Sequence, residues 1–223
     1  AILIVGLFYT LSNIDKHEFS TSWIVNRKSE ISKVSLKDGT VVYLKPGSKI
    51  AYQSDFLNER NVAVEGEVFF AVAHDQTRPF NVKLSNDINL QVLGTRFNVK
   101  TGNSIHDIVL TEGKISITNE EEEEILLPSD RILVASSAMS RSKVDTLNYN
   151  SWINNQIYFK DKSLSEVMNT MKSYYPNYSL TNNPSFSNLQ FTGYLPTDNY
   201  ELLKQILIET FKHENLLTNN SYE

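Results

Sequence analysis

The stretch LQVLGTRFNV, residues 90–99, decides how the chain is read. On both sides of a Gly-Thr pair apolar residues recur at every second position, the period of a half-buried β-strand. Leu90 and Val92 alternate with Gln91 before the pair, and Phe97 and Val99 with Asn98 after it. Two strands and a tight corner or bulge are therefore expected, with Gly94 supplying a positive φ and Phe97 and Val99 resuming the inward face. The Thr-Arg-Phe-Asn that follows the glycine raises a second question, whether the corner is also a site.

The same rhythm runs outward from this stretch. ISKVSL (31–36), TVVYL (40–44), NVAVEG (61–66), VFFAV (68–72), FNVKLS (80–85), KISIT (114–118) and RILVAS (131–136) are short β-branched or aromatic runs. Turn signals separate them: Asp38-Gly39, Pro46-Gly47, Glu65-Gly66, Asn86-Asp87 and Glu112-Gly113. About a dozen strands, with no amphipathic helix among them, predict an antiparallel β-sandwich or β-roll over residues 31–146.

After Leu147 the period changes to that of helices. SLSEVMNTMKSYY places Leu164, Val167, Met168, Met171 and Tyr175 on one face, and Ser163 with Glu166 forms a capping box. A second helix carries Leu203, Ile206, Leu207 and Phe211 on one face, and Asp198 and Glu201 repeat the cap spacing. IYFKD and LQFTGYL precede the two helices, and YSLT (178–181) and NLLTNN (215–220) read as further strands. Residues 147–223 thus predict a small α+β domain of two βαβ units.

Composition narrows the chemistry. With 21 Lys and Arg against 26 Asp and Glu the net charge is −5, and five acids form the run at residues 120–124. No basic footprint of a nucleic-acid binder is present. The acidic run reads as a solvated hairpin tip. The absence of cysteine excludes disulfides, thiolate nucleophiles and Cys-ligated zinc. His17, His74, His106 and His213 fit no metal-binding spacing, and His74-Asp75 and His106-Asp107 read as loop polar groups. No metal or other cofactor is expected.

Glu65 and Glu67 flank Gly66; as a carboxylate pair they would suit glycoside hydrolysis, but a turn at Gly66 breaks that geometry and favours a structural role. The 11 Tyr, 11 Phe and 2 Trp on a β scaffold suggest a carbohydrate-binding module as an alternative, although Phe69, Phe80 and Phe97 fall at core positions. AILIVGLFYTL at the start is shorter than the roughly 20 apolar residues a membrane helix needs. It reads either as the end of a membrane anchor within residues 1–30 or as a buried element, with a signal-peptide remnant behind both.

The order of motifs is specific. LKDGTVVYLKPGSKIAYQSDF, RNVAVEGEVFFAVAHDQTRPFNV, LQVLGTRFNV and VLTEGKISI resemble, in that order, the FecR family of sensors and anti-sigma regulators. SWINNQIYFKDKSLSEVM and FTGYLPTDNYELLKQIL resemble the C-terminal domain attached to many FecR-type proteins, which is similar to the short N-terminal domains of secretins and TonB-dependent transducers.

The resemblance implies a single-pass inner-membrane protein with this region in the periplasm. It implies a TonB-dependent transducer's signalling domain as upstream partner, and a sigma factor held by a cytoplasmic segment not in this sequence. Some family members resemble self-cleaving proteins at Gly94-Thr95, where the Thr95 hydroxyl would attack the Gly94 carbonyl; the corner reading is preferred over cleavage, and no other catalytic residue is expected. Edge strands accept β-addition, so the partner surface is expected around Tyr158, Phe159, Phe191, Gly193 and Tyr194.

Overall fold

The computed structural model describes residues 23–52, 56–102, 104–119, 122–135, 138–178 and 183–212. The chain divides into two compact units, one holding residues 1–128 and 132–141 and the other 129–131 and 142–223.

The first unit is the expected sandwich. One seven-stranded sheet contains, in spatial order, β1 (Ile24–Val25), β4 (Lys49–Tyr52), β5 (Arg60–Glu65), β7 (Phe80–Lys83), β8 (Asn89–Val92), β11 (Ile115–Thr118) and β12 (Glu123–Leu126). The other contains β14 (Ala138–Lys143), β13 (Asp130–Ala135), β10 (Ile105–Glu112), β9 (Arg96–Thr101), β6 (Glu67–Ala71), β3 (Val41–Leu44) and β2 (Ser32–Ser35). β5 and β7 run parallel.

Period two accounts for the core. Val62 and Val64 of β5, Phe80 and Val82 of β7, and Leu90 and Val92 of β8 face Val68 and Phe70 of β6 and Phe97 and Val99 of β9 in one buried cluster. Phe56, Phe70, Phe80 and Phe97 form a chain of rings with centroids 5.0 to 6.0 Å apart, mostly edge to face, the arrangement that aligns positive ring edges with negative faces.

A charged pair lies inside this unit. Arg60, at the start of β5, is 1% exposed. Its Nη1 donates to Asp38 Oδ2 at 3.2 Å and to the Ala73 carbonyl at 2.9 Å, its Nη2 to the Asp75 carbonyl at 3.3 Å, and both Nε and Nη2 to the Arg78 carbonyl. Asp38, 1% exposed, also accepts from the Thr40 N–H and hydroxyl, and the Thr40 hydroxyl accepts from the Ala73 N–H. A buried guanidinium is tolerable only when its fork is satisfied, and here every arm has an acceptor.

Two readings of charged segments are corrected. The acidic run is not only a hairpin tip, because β12 includes Glu123 and Glu124, paired in register with Thr118 and Ile117 of β11. Ser116 Oγ donates to Glu123 at 2.9 Å and Arg141 stands 3.6 Å from Glu124, which stabilises the acids within a strand. His106 is not a loop residue: it lies on β10, fully buried, with Nε2 3.2 Å from Ser85 Oγ, and burial lowers its pKa.

In the second unit, β15 (Gln156–Ser163) pairs antiparallel with β16 (Gln190–Pro196). The helices are α1 (Leu147–Ser151), α2 (Leu164–Met171) and α3 (Tyr200–Phe211). Leu164, Val167, Met168, Met171 and Tyr175 are buried with Leu203, Leu207, Phe159, Phe191 and Leu195. The capping box at Ser163 and Glu166 is present as read. The second cap sits one residue later than read: Asn199 accepts from the Leu202 N–H, while Asp198 accepts from Asn155. Tyr175 joins the ends of the fold, donating to the Pro196 carbonyl at 2.7 Å and accepting from the Asn199 N–H at 3.0 Å. Residues 179–181 of YSLT, and NLLTNN, lie outside the described residues.

Asp38→Ala leaves the Arg60 guanidinium buried without its counter-charge, and it is expected to lower stability by about 3–5 kcal/mol, read as a shifted urea midpoint at constant m-value. Glu166 is held near pKa 2 by hydrogen bonds from Lys162 and Ser163, against 4.5 when free. Its contribution is present above about 4.5 and is lost as pH falls toward 2. The Glu166→Gln variant should therefore show a shallower loss of stability across that window.

Candidate functional site

Gly94 and Thr95 carry the chain from β8 in one sheet to β9 in the other. Gly94 does not take the positive φ expected of it, being absent from the residues in that region. Space is what it supplies: a Cβ here would stand 2.5 Å from His74 Nδ1 and 2.7 Å from His74 Cα. Two backbones meet at this point. The Asp75 N–H donates to the Leu93 carbonyl at 2.7 Å, and the Val72 N–H to the Thr95 carbonyl at 3.0 Å.

A third segment closes over the junction. Gly113 has φ +94°, and a Cβ there would meet the Gly94 carbonyl and Thr95 Oγ1, each at 2.9 Å. The Thr95 side chain is buried, and its hydroxyl donates to the Lys114 carbonyl at 3.0 Å. Asp75 continues the network, accepting from Thr77 and Arg78; those bonds hold its carboxyl well below the usual carboxylate range. Its carbonyl is one of the Arg60 acceptors. The segments around Asp38, Arg60, His74, Gly94 and Gly113 therefore belong to one connected structure.

Beside the junction lies a groove of about 420 Å³ whose lining includes Leu93, Gln91, Ser116 and Ile125. An acyl shift at Gly94-Thr95 would need the Thr95 oxygen activated and aimed at the Gly94 carbonyl carbon. The hydroxyl proton instead lies on a neutral carbonyl, so its observed role is to fasten the corner to the β10–β11 turn.

Glu65 and Glu67 do not form a carboxylate pair. Gly66, with φ +91°, separates β5 in one sheet from β6 in the other; Lys49 binds Glu65 at 2.9 Å and Lys45 binds Glu67 at 2.8 Å. Among the described residues no group of three or more His, Asp and Glu could hold a metal ion. His17 and His213 lie outside them.

In the second unit the expected contact residues separate by face. Phe159 and Phe191 are buried, with ring centroids 6.2 Å apart, so neither offers surface. Gly193 stands opposite Phe159, and a Cβ there would lie 3.3 Å from the Phe191 ring. Tyr158 and Tyr194 face each other across the strand pair on the other side, centroids 4.9 Å apart, with Tyr194 39% exposed. The β15 edge is not open at Tyr158, whose N–H donates to Asn148 Oδ1 of α1 at 2.7 Å.

The sequence reading passed over Arg60 and treated His74 as a loop polar group. A lone arginine in an Asn-Glu-Arg-Asn run carries no sign of burial, and nothing local marks His74 as the residue against which Gly94 packs.

Comparison with known proteins agrees with the motif order. Residues 23–116 match the family model described as FecR protein, so the FecR resemblance is borne out over that segment. Two crystal structures from Parabacteroides distasonis ATCC 8503, both carrying the provisional designation anti-sigma factor, are 25% identical to this chain. One has a TM-score of 0.58 and covers 90% of this chain and 100% of its own; the other has 0.59, with 86% and 92%. No curated protein matches the sequence.

The corner predicts an intact chain: denaturing mass spectrometry of the purified protein should give one species and no pair of fragments split at Gly94-Thr95. Gly94→Ala should be destabilising by about 1–3 kcal/mol, since the added methyl has to displace backbone at His74.

Proposed function

We propose that this FecR-type chain is the receiving part of a membrane-anchored anti-sigma factor. The family match and the anti-sigma neighbours support the regulatory role. The finer reading is that the region lies in the periplasm, takes its signal from an outer-membrane TonB-dependent transducer, and governs an extracytoplasmic-function sigma factor through a cytoplasmic segment. Regulated proteolysis would then release that segment. No helix among the described residues is long and apolar enough to cross a membrane, and the apolar start of the sequence lies outside them.

The observation that carries the docking surface is the Tyr158–Tyr194 pair. Two aromatic rings on the outer face of a two-stranded sheet, with the core phenylalanines on the inner face, leave large amphipathic side chains toward solvent. Tyrosine is among the residues that dominate binding energy at interfaces, because it contributes area and a hydroxyl at small rotamer cost. A transducer's signalling domain docking here would cover both rings.

Calorimetric titration of residues 23–223 with the isolated signalling domain of the transducer encoded beside the protein should give saturable binding near micromolar, about −8 kcal/mol. Tyr194→Ala should weaken it about tenfold or more. Absence of heat and of competition at high concentration would remove the transducer from the mechanism.

A further inference from the structure

A second groove, of about 630 Å³, lies where β5 and β7 of one sheet meet Gly66 and the end of β9 in the other. Its floor follows from side-chain size. Ala63 and Lys83 stand in register across β5 and β7, so β5 presents a methyl group to the groove one row from the longer Glu65. Trp23 forms one wall and is 38% exposed; Lys83, Ser85 and Asn86 form the other, with Glu65 and Thr101 also lining it.

The walls are held in place. Lys49 Nζ lies 4.6 Å from the Trp23 ring centroid and also bonds Glu65 at 2.9 Å, fixing the indole and the carboxylate together. Thr101 Oγ1 accepts from the Gly66 N–H at 2.7 Å, and Ser85 is tied to the buried His106. Asn86 and Asp87, both at positive φ, make the tight turn between β7 and β8.

We propose that this groove binds a saccharide bearing a carboxylate, such as a uronic acid. The chemistry of the lining is that of sugar recognition: an indole face suits the C–H face of a pyranose, and Glu65, Asn86 and Ser85 offer acceptors and donors for hydroxyls. The volume falls within the range of about 300–1,000 Å³ usual for small-molecule sites. Charge selects among sugars. Glu65 is matched by Lys49, whereas Lys83 has no carboxylate partner among the described residues, so the groove holds one uncompensated cation that an anionic sugar would pair. This site is separate from the tyrosine face and does not depend on the transducer.

The test is titration of the intact chain with trigalacturonic acid and with neutral cellotriose, followed by indole fluorescence and by calorimetry. Trigalacturonic acid should bind saturably at millimolar concentration or below, about tenfold tighter than cellotriose, with the difference diminishing as salt rises. Trp23→Ala, checked for an unchanged melting profile, should lose both ligands; Lys83→Gln should retain the neutral sugar and lose the preference. Trp152, the other tryptophan, belongs to the second unit, and Trp152→Phe should leave the response intact. Absence of saturation by either sugar, binding that survives Trp23→Ala, or equal affinity for the two sugars would overturn the proposal.

Discussion

The buried Arg60 guanidinium sets the condition that the rest of the first unit meets. An arginine removed from water has to satisfy its donors and its charge at once, and those demands are answered by Asp38 and by the carbonyls of Ala73, Asp75 and Arg78. The loop at residues 72–78 is therefore fixed from beneath. Once it is fixed, the Val72 and Asp75 amides are presented to the segment that changes sheets, and Gly94 is the only residue type small enough to fit against His74. Gly113 then closes on the junction. The motifs that make the sequence recognisable are successive layers around one charged side chain.

Sequence carried the periodic part of this arrangement. Alternation located the strands, and helical spacing located the buried faces of α2 and α3, because burial repeats with the geometry of the element. What escaped was contact between segments far apart in the chain. Arg60 meets Asp38 across 22 positions and Thr95 meets Lys114 across 19, and no local pattern encodes either distance. Gly94 shows the limit clearly: its identity was read as a need for unusual backbone angles, while the constraint is the approach of another chain segment. The cap of α3 slipped by one residue for a related reason, since Asp198 and Asn199 are both good caps and Asn155 claims the first.

The two faces of β15 were legible in outline. Alternation on β15 meant that Tyr158 and Phe159 could not share a face, and the structure assigns Phe159 inward and Tyr158 outward. Only three-dimensional context shows that Asn148 occupies the Tyr158 amide, which closes the strand's edge there to β-addition. Trp23 likewise carries no signal in sequence, and only the fold brings it to a groove with Ala63 and Lys83.

The interleaving of the two sheets also governs how the sandwich assembles. β8 and β9 are neighbours in sequence but belong to different sheets, and β10 lies between β9 and β13. Neither sheet is a continuous stretch of chain, so neither can be completed ahead of the other, and most of the loop-closure entropy is lost before the contacts that offset it exist. Such topology places the unit among slow folders, on the millisecond-to-second scale, with its apolar strand faces open to other chains in the interval. The corner at Gly94, like that at Gly66, is one of the crossings that make the two sheets a single cooperative object.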